Sequence, residues 1–164
     1  MEASEALILS QFLIRKLKIE AAATAKVLAA VPDDGVAYKP NDTNMSAGDL
    51  CKHLLGVDLW FLESVLKAEF GAPDDAPLAG LKPSELAAAY TARVPALLDE
   101  VAKLSGEHMA TEVQFYSWKM PLVNYLDFCA SHSIHHRGQL SVYLRPMGAK
   151  VPAIYGGSAD EPMH

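Results

Sequence analysis

The sequence predicts an all-α protein, an antiparallel four-helix bundle with a short extended segment and an irregular C-terminal tail. Three observations carry that reading. Four long stretches repeat apolar residues at three- and four-residue intervals, the signature of helices with one buried stripe. The stretches are separated by segments rich in Pro, Gly, Asn and Asp, which are turn and breaker residues. Hydrophobic residues make up 51 % of the chain but aromatics only 8 %, and the abundant alanine favours closely packed helices over a sheet. At 164 residues the chain reads as a single domain, residues 1–164, long enough to bury about 68–70 % of its unfolded surface.

The first helix is expected from Ala3 to about Val31, with Leu9, Phe12, Leu13, Leu17, Ala21, Ala25 and Leu28 inward and Lys16, Lys18 and Glu20 outward. Pro32-Asp33-Asp34-Gly35 stops it. A loop over 36–45 leads to Ser46, which opens a second helix. Ser46 and Asp49 have the spacing of a capping box, with Asp in place of the usual Glu. Leu50, His53, Leu54, Val57, Trp60, Phe61 and Val65 form its apolar stripe. A Gly- and Pro-rich loop, 70–83, precedes a third helix capped by Ser84 and running to about Leu104, with Leu86, Tyr90, Val94, Leu97, Leu98 and Val101 inward. Pro95 inside it should kink or divide the helix.

Residues 111–115 alternate polar and apolar, which predicts a short extended piece across one end of the bundle. Pro121 suits the first turn of a fourth helix. That helix runs through Leu122, Tyr125, Leu126, Cys129, His132, His136, Gln139 and Tyr143 and ends near Pro146-Met147-Gly148. In the tail, Val151, Ile154 and Tyr155 are expected to pack back on the bundle.

The net charge of −6 argues against nucleic-acid partners, which need clustered Lys and Arg. No run of 18 apolar residues and no signal-peptide pattern is found, so the expected setting is soluble and cytoplasmic, without a membrane. Cys51 and Cys129 are too few for a disulfide framework. They read as small packing residues.

Chemistry concentrates in His132-Ser-Ile-His135-His136-Arg137-Gly138-Gln139. His132 and His136 are four apart, so a helix places them on one face with Cβ atoms about 5–6 Å apart. Metal sites in bundles are built from inward side chains on facing helices. By periodicity His53, His132 and His136 point inward. His135 lies on another face, His108 in a loop and His164 at the terminus. Three neutral imidazoles would leave a divalent ion its full charge and an open position, as in catalytic rather than structural zinc sites. Such an ion lowers the pKa of water or deprotonates a thiol. Ligand count alone does not choose the metal.

A lone His after a Ser-capped start (Ser46, Asp49, His53), joined to His132-x-x-x-His136 and Arg137-Gly138-Gln139, resembles the DinB/YfiT-like family of bacterial metalloenzymes. The likeness extends over nearly the whole chain in helix order, and to the tail Val151-Pro-Ala-Ile-Tyr-Gly-Gly-Ser-Ala-Asp-Glu161. The family's metal motif maps onto His53, His132 and His136. What the resemblance implies is a four-helix bundle, often a homodimer, that holds Zn²⁺ or Ni²⁺. It also implies a small-molecule substrate. Some relatives transfer or isomerise with low-molecular-weight thiols such as bacillithiol or mycothiol.

Several other residues have two readings. Gln139 either hydrogen-bonds a ligand histidine or bound water or makes a polar contact at the bundle end. Tyr125 and Tyr143 share the ligand stripe, to orient substrate or to fill the core. Arg137 either holds an anionic substrate or is a solvated or interface residue, the latter preferred. Trp60 and Trp118 read as packing, and Asp33-Asp34 and Asp74-Asp75 as loop charges. Asp58 and Glu63 are off the face of His53, which weakens a peptidase-like reading. Three functions remain: a thiol-dependent S-transferase, a metal-dependent hydrolase, and a non-enzymatic bundle whose ion ties the second helix to the fourth.

Overall fold

A computed structural model describes residues 1–163; the terminal His164 of the sequence reading lies outside the described residues. Four long helices form the body: α1 (Ala3–Ala29), α2 (Ala47–Lys67), α3 (Pro83–Val101) and, after a short α4 (Gly106–Ala110) and a hairpin of β1 (Glu112–Phe115) and β2 (Trp118–Pro121), α5 (Leu122–Leu144). α1 packs on α3 and α5, and α2 packs on the same two helices. α1 and α2 therefore lie across a diagonal, and the α2–α5 seam is where the histidines meet. No helix among the described residues is long and apolar enough to cross a membrane.

Local chemistry sets the starts. The Ser46 hydroxyl accepts from Asp49 N–H (3.1 Å) and donates to the Asp49 carboxylate (2.7 Å), so Asp49 orients the cap and does not itself cover a backbone N–H. α3 begins one residue before the expected cap. Glu85 reaches back to Lys82 N–H (2.8 Å), while Ser84 N–H and hydroxyl both donate to Asp33 (2.9 and 2.8 Å). A carboxylate from the α1–α2 connection thus satisfies an orphan donor of α3. Pro95 does not divide α3. Its ring sits on the exposed side, where water can serve the Thr91 carbonyl that lacks an N–H partner.

Some expectations on facing are corrected. Leu9 and Phe12 are 43 % and 59 % exposed, and α1 turns Ala6, Ser10, Leu13, Leu17, Glu20 and Thr24 inward instead. Glu20, placed outside by its charge, is buried because Arg137 meets it there. The extended piece has a partner that the sequence hid: β2 pairs antiparallel with β1, with Val113 opposite Met120. Pro121 closes β2 and stands at the N-cap of α5, not in its first turn. Gly106 admits α4 against α1, since a Cβ there would lie 2.1 Å from the Ala3 carbonyl oxygen.

Leu50, Leu54, Leu55, Leu86, Leu98, Leu126 and Leu140 are wholly buried in one core. Under the hairpin Phe61, Phe70, Phe115, Tyr125 and Phe128 stack at 4.6–6.2 Å between centroids, mostly tilted or edge-on as aromatic quadrupoles prefer. Val151 and Ile154 of the tail pack on the core.

Candidate metal centre

The cap at Ser46 sets the phase of α2, so Leu50, Leu54 and Phe61 enter the core and His53 stands at its edge, half-buried. On α5 the buried Leu126, Cys129, Ala130, Ser133 and Leu140 anchor the helix, and His132 and His136 emerge beside them toward α2. The three rings meet there. Centroids are 4.9 Å apart for His53–His132, 4.5 Å for His53–His136 and 4.4 Å for His132–His136. One nitrogen of each lies within 4.8 Å of the others.

His53 Nε2 and His132 Nε2 are 3.0 Å apart. Two nitrogens bound at about 2.0–2.1 Å to one ion can be separated by at most roughly 4.2 Å, so this pair fits a shared cation. Among the described residues no Cys, Asp or Glu joins the group. Among those residues the donor set is three imidazoles with no fourth side chain, the composition of an open site.

Electrostatics keep the three histidines in the form a metal would need. Burial, then the neighbouring His136, His53 and His135, push His132 down to about 3. Burial also lowers His53, against an opposing pull from the Asp75 charge. His136 is lowered by burial, with the Gln139 hydrogen bond opposing. A metal ligand must offer a lone pair, and at neutral pH each ring has one.

Which nitrogen of His136 offers it follows from its neighbours. Gln139 Nε2 donates to the Tyr143 hydroxyl (3.1 Å), which turns Gln139 Oε1 to His136 Nδ1 at 3.2 Å. An amide oxygen only accepts, so Nδ1 carries the proton and Nε2 is free. Asn44 Nδ2 donates to the same tyrosine oxygen (3.1 Å), and Tyr143 donates to Met45 O (3.4 Å). The polar contact of Gln139 is therefore with a histidine of the cluster. His132 has no such support: among the described residues its buried Nδ1 finds no hydrogen-bond partner.

The other candidates lie elsewhere. Tyr125 donates to Val113 O (2.8 Å), tying α5 to β1. His135 is exposed and edge-on to His136 at 4.8 Å. His108 belongs to α4 and bonds Val65 O at 2.7 Å, serving the last turn of α2. Trp60 joins the aromatic cluster and Trp118 is half exposed. Both thiols are buried, Cys51 pushed up to about 12 and Cys129 well above its ordinary range.

Arg137 departs most from the sequence reading. Neither solvated nor free for an anion, it is 1 % exposed, paired with Glu20 Oε2 at 2.7 Å and bonded to Glu20 O at 3.1 Å. Tyr155 bonds both partners, accepting from Arg137 and donating to Glu20 (2.6 Å). Asp58 is also buried, accepting from Ser133 (2.5 and 2.6 Å) and Tyr90 (2.6 Å). Burial raises its carboxyl to about 6 against these donors. Asp75 was read as a loop charge, yet its Oδ1 would lie 2.5 Å from a Cβ on Gly56, one turn beyond His53. No local pattern marks it, because the loop path brings it there.

The comparisons agree with this architecture. Residues 8–163 match the DinB family. YrdA of Bacillus subtilis (strain 168) is 27 % identical over 149 residues, covering 90 % of this chain and 89 % of that protein. YjoA of the same organism is 28 % identical over 127 residues, 76 % of this chain and 82 % of that one. The crystal structure of the DinB-like YjoA superposes with a TM-score of 0.71 at 26 % identity, covering 87 % of this chain and 96 % of that one. A DinB-like protein from Bacillus cereus ATCC 10987 gives 0.73 at 22 % identity, covering 87 % and 95 %, a likeness of fold. With the match running over nearly its whole length and the helices arranged in the same way, the chain belongs to the DinB family.

Proposed function

We propose that the protein is a metal-dependent enzyme in which His53, His132 and His136 hold a divalent ion, Zn²⁺ or Ni²⁺, and that it transfers a low-molecular-weight thiol to a small electrophilic substrate. The observation that carries the reading is the convergence of three neutral imidazoles with no fourth side-chain ligand among the described residues. An ion in that setting acts as a Lewis acid and stabilises a thiolate.

The chain's own groups favour an external nucleophile. Cys51 and Cys129 are buried with raised thiol pKa values, unlike the low-pKa, partly exposed cysteines that react. Asp58 faces Ser133, Tyr90 and Cys129 in the core, so it is not placed to take a proton from water. A thiol substrate needs no such base. In the transfer a sulfur–carbon bond forms, the carbon–leaving-group bond breaks with its electron pair on the leaving group, and the thiol proton passes to solvent. Gln139 and Tyr143 hold His136 in one tautomer throughout.

A hydrolase is the second reading, favoured by Asp75, whose charge reaches His53 from the α2–α3 loop. The same proposal keeps the cytoplasm and a homodimer as its setting. The test is elemental analysis of protein purified without a histidine tag, followed by thiol conjugation to an aryl halide. About one ion per chain, activity lost to a chelator and restored by Zn²⁺ or Ni²⁺, and both lost in His53→Ala are expected. Stoichiometric metal with neither conjugation nor hydrolysis would leave the ion a structural tie between α2 and α5.

A further inference from the structure

A groove of about 480 Å³ runs along α2 beyond the histidines, between that helix, the α2–α3 loop and α3. Its volume lies within the range of small-molecule sites, about 300–1,000 Å³. Gly56 lines it one turn past His53, and Trp60 forms a wall, its indole N–H donating to Gly71 O (3.1 Å) and so tying the loop to α2.

Charges of both signs line this groove. Arg93 and Lys67 share one carboxylate, Glu63, at 3.5 and 3.9 Å. Both distances exceed the 2.7–2.9 Å or so of a close charge-assisted bond, and exposed pairs of this kind contribute little. Both cations therefore keep donors for another acceptor. On the loop side, the Glu69 side chain makes no hydrogen bond or ion pair among the described residues, and Asp74 uses one oxygen on Ala76 N–H (3.0 Å). A pure anion would face Glu69 and Asp74, and a pure cation would face Arg93. A molecule carrying one charge of each sign satisfies both sides, with Trp60 against its middle.

We propose that this groove binds a small zwitterion of the amino-acid or short-peptide class, its carboxylate held by Arg93 and Lys67 and its ammonium by Glu69 and Asp74. The claim stands apart from the metal reading, because binding here needs no ion.

Trp60 reports on it directly. In Trp118→Phe, which leaves Trp60 as the single tryptophan, fluorescence is titrated with trialanine, N-acetyl-trialanine and trialanine amide. Equilibrium dialysis of labelled trialanine against the unaltered chain gives an independent affinity. Trialanine should change the Trp60 signal, and each blocked peptide should bind at least tenfold more weakly. Arg93→Gln, an exposed change, should abolish the preference for trialanine over its amide. No response to any peptide at millimolar concentration, equal binding of all three, or a preference that survives Arg93→Gln overturns the proposal. Peptide binding that persists in a chain taking up no metal supports the groove and overturns only the reading of the metal centre.

Discussion

Replacing Arg137 by Ala should cost about 3–5 kcal/mol, the range for breaking a buried ion pair by removing one partner. The structure accounts for the size. Arg137 and Glu20 are 1 % and 7 % exposed, and among the described residues the guanidinium is the one cation paired with the Glu20 carboxylate. Without it, that carboxylate keeps a single donor, the Tyr155 hydroxyl at 2.6 Å. The Glu20 carbonyl also loses its 3.1 Å contact. For a chain of this length each kcal/mol shifts Tm by about 2–4 °C, so the melting point should fall by roughly 6–20 °C. Urea unfolding measures the loss directly. The double variant Glu20→Leu/Arg137→Met removes both charges at similar volume and should return close to the parent. A single-variant loss under about 1 kcal/mol, or a double variant as unstable as the two singles added, would refute the buried-pair account.

Gln139→Ala should weaken metal binding about 10- to 100-fold, the usual effect of removing a group that orients a ligand histidine; calorimetric titration with Zn²⁺ would show it, and unchanged affinity would count against the tautomer argument. Gly106→Ala, normally favourable within a helix, should destabilise here because the added methyl meets the Ala3 carbonyl, and denaturant midpoints decide the sign. Ser46→Ala should cost about 1 kcal/mol as the cap of α2 is lost, read from the same midpoints. In metal-free protein His132 titrates near 3 when folded and near 6.5 unfolded. The unfolded chain therefore binds the proton first, and stability falls as the pH drops from 6.5 towards 3. Asp58 has the opposite sign: its folded value near 6 lies above 3.8, so acidification from 6 to 3.8 relieves a cost. Asp58→Asn removes that relief, and its urea midpoint should fall more steeply with acid than the parent's.

The helices and the three histidines were legible because each follows from spacing along one element. The stripe of Leu50, Leu54, Phe61 and Val65 phases His53, and the four-residue step phases His132 against His136. The misreadings share a cause, partners far apart in sequence. Glu20 looked solvated because Lys16 and Lys18 just before it read as a charged outer side, and its buried partner comes 117 residues later. Ser84 looked like a cap because Asp33, which bonds it, sits in another loop. β2 was hidden because Trp118-Lys119-Met120 is too short to mark a strand and Pro121 reads as a helix start, so its strand character comes from the ladder with β1. Leu9 and Phe12 misled through their hydrophobicity, since the inward face of α1 carries Ser10, Glu20 and Thr24, whose polarity is met by partners inside.

On α5, residues 132 and 136 face the histidine cluster while their immediate successors, Ser133 and Arg137, turn into the core to bind Asp58 of α2 and Glu20 of α1. Any twist or slide of this helix would tear apart two interior polar clusters at once. A cation taken up by the three histidines would then meet a site already held in place. Loading should proceed at the pace of desolvation, without waiting for the polypeptide to rearrange, and the emptied protein should keep its shape.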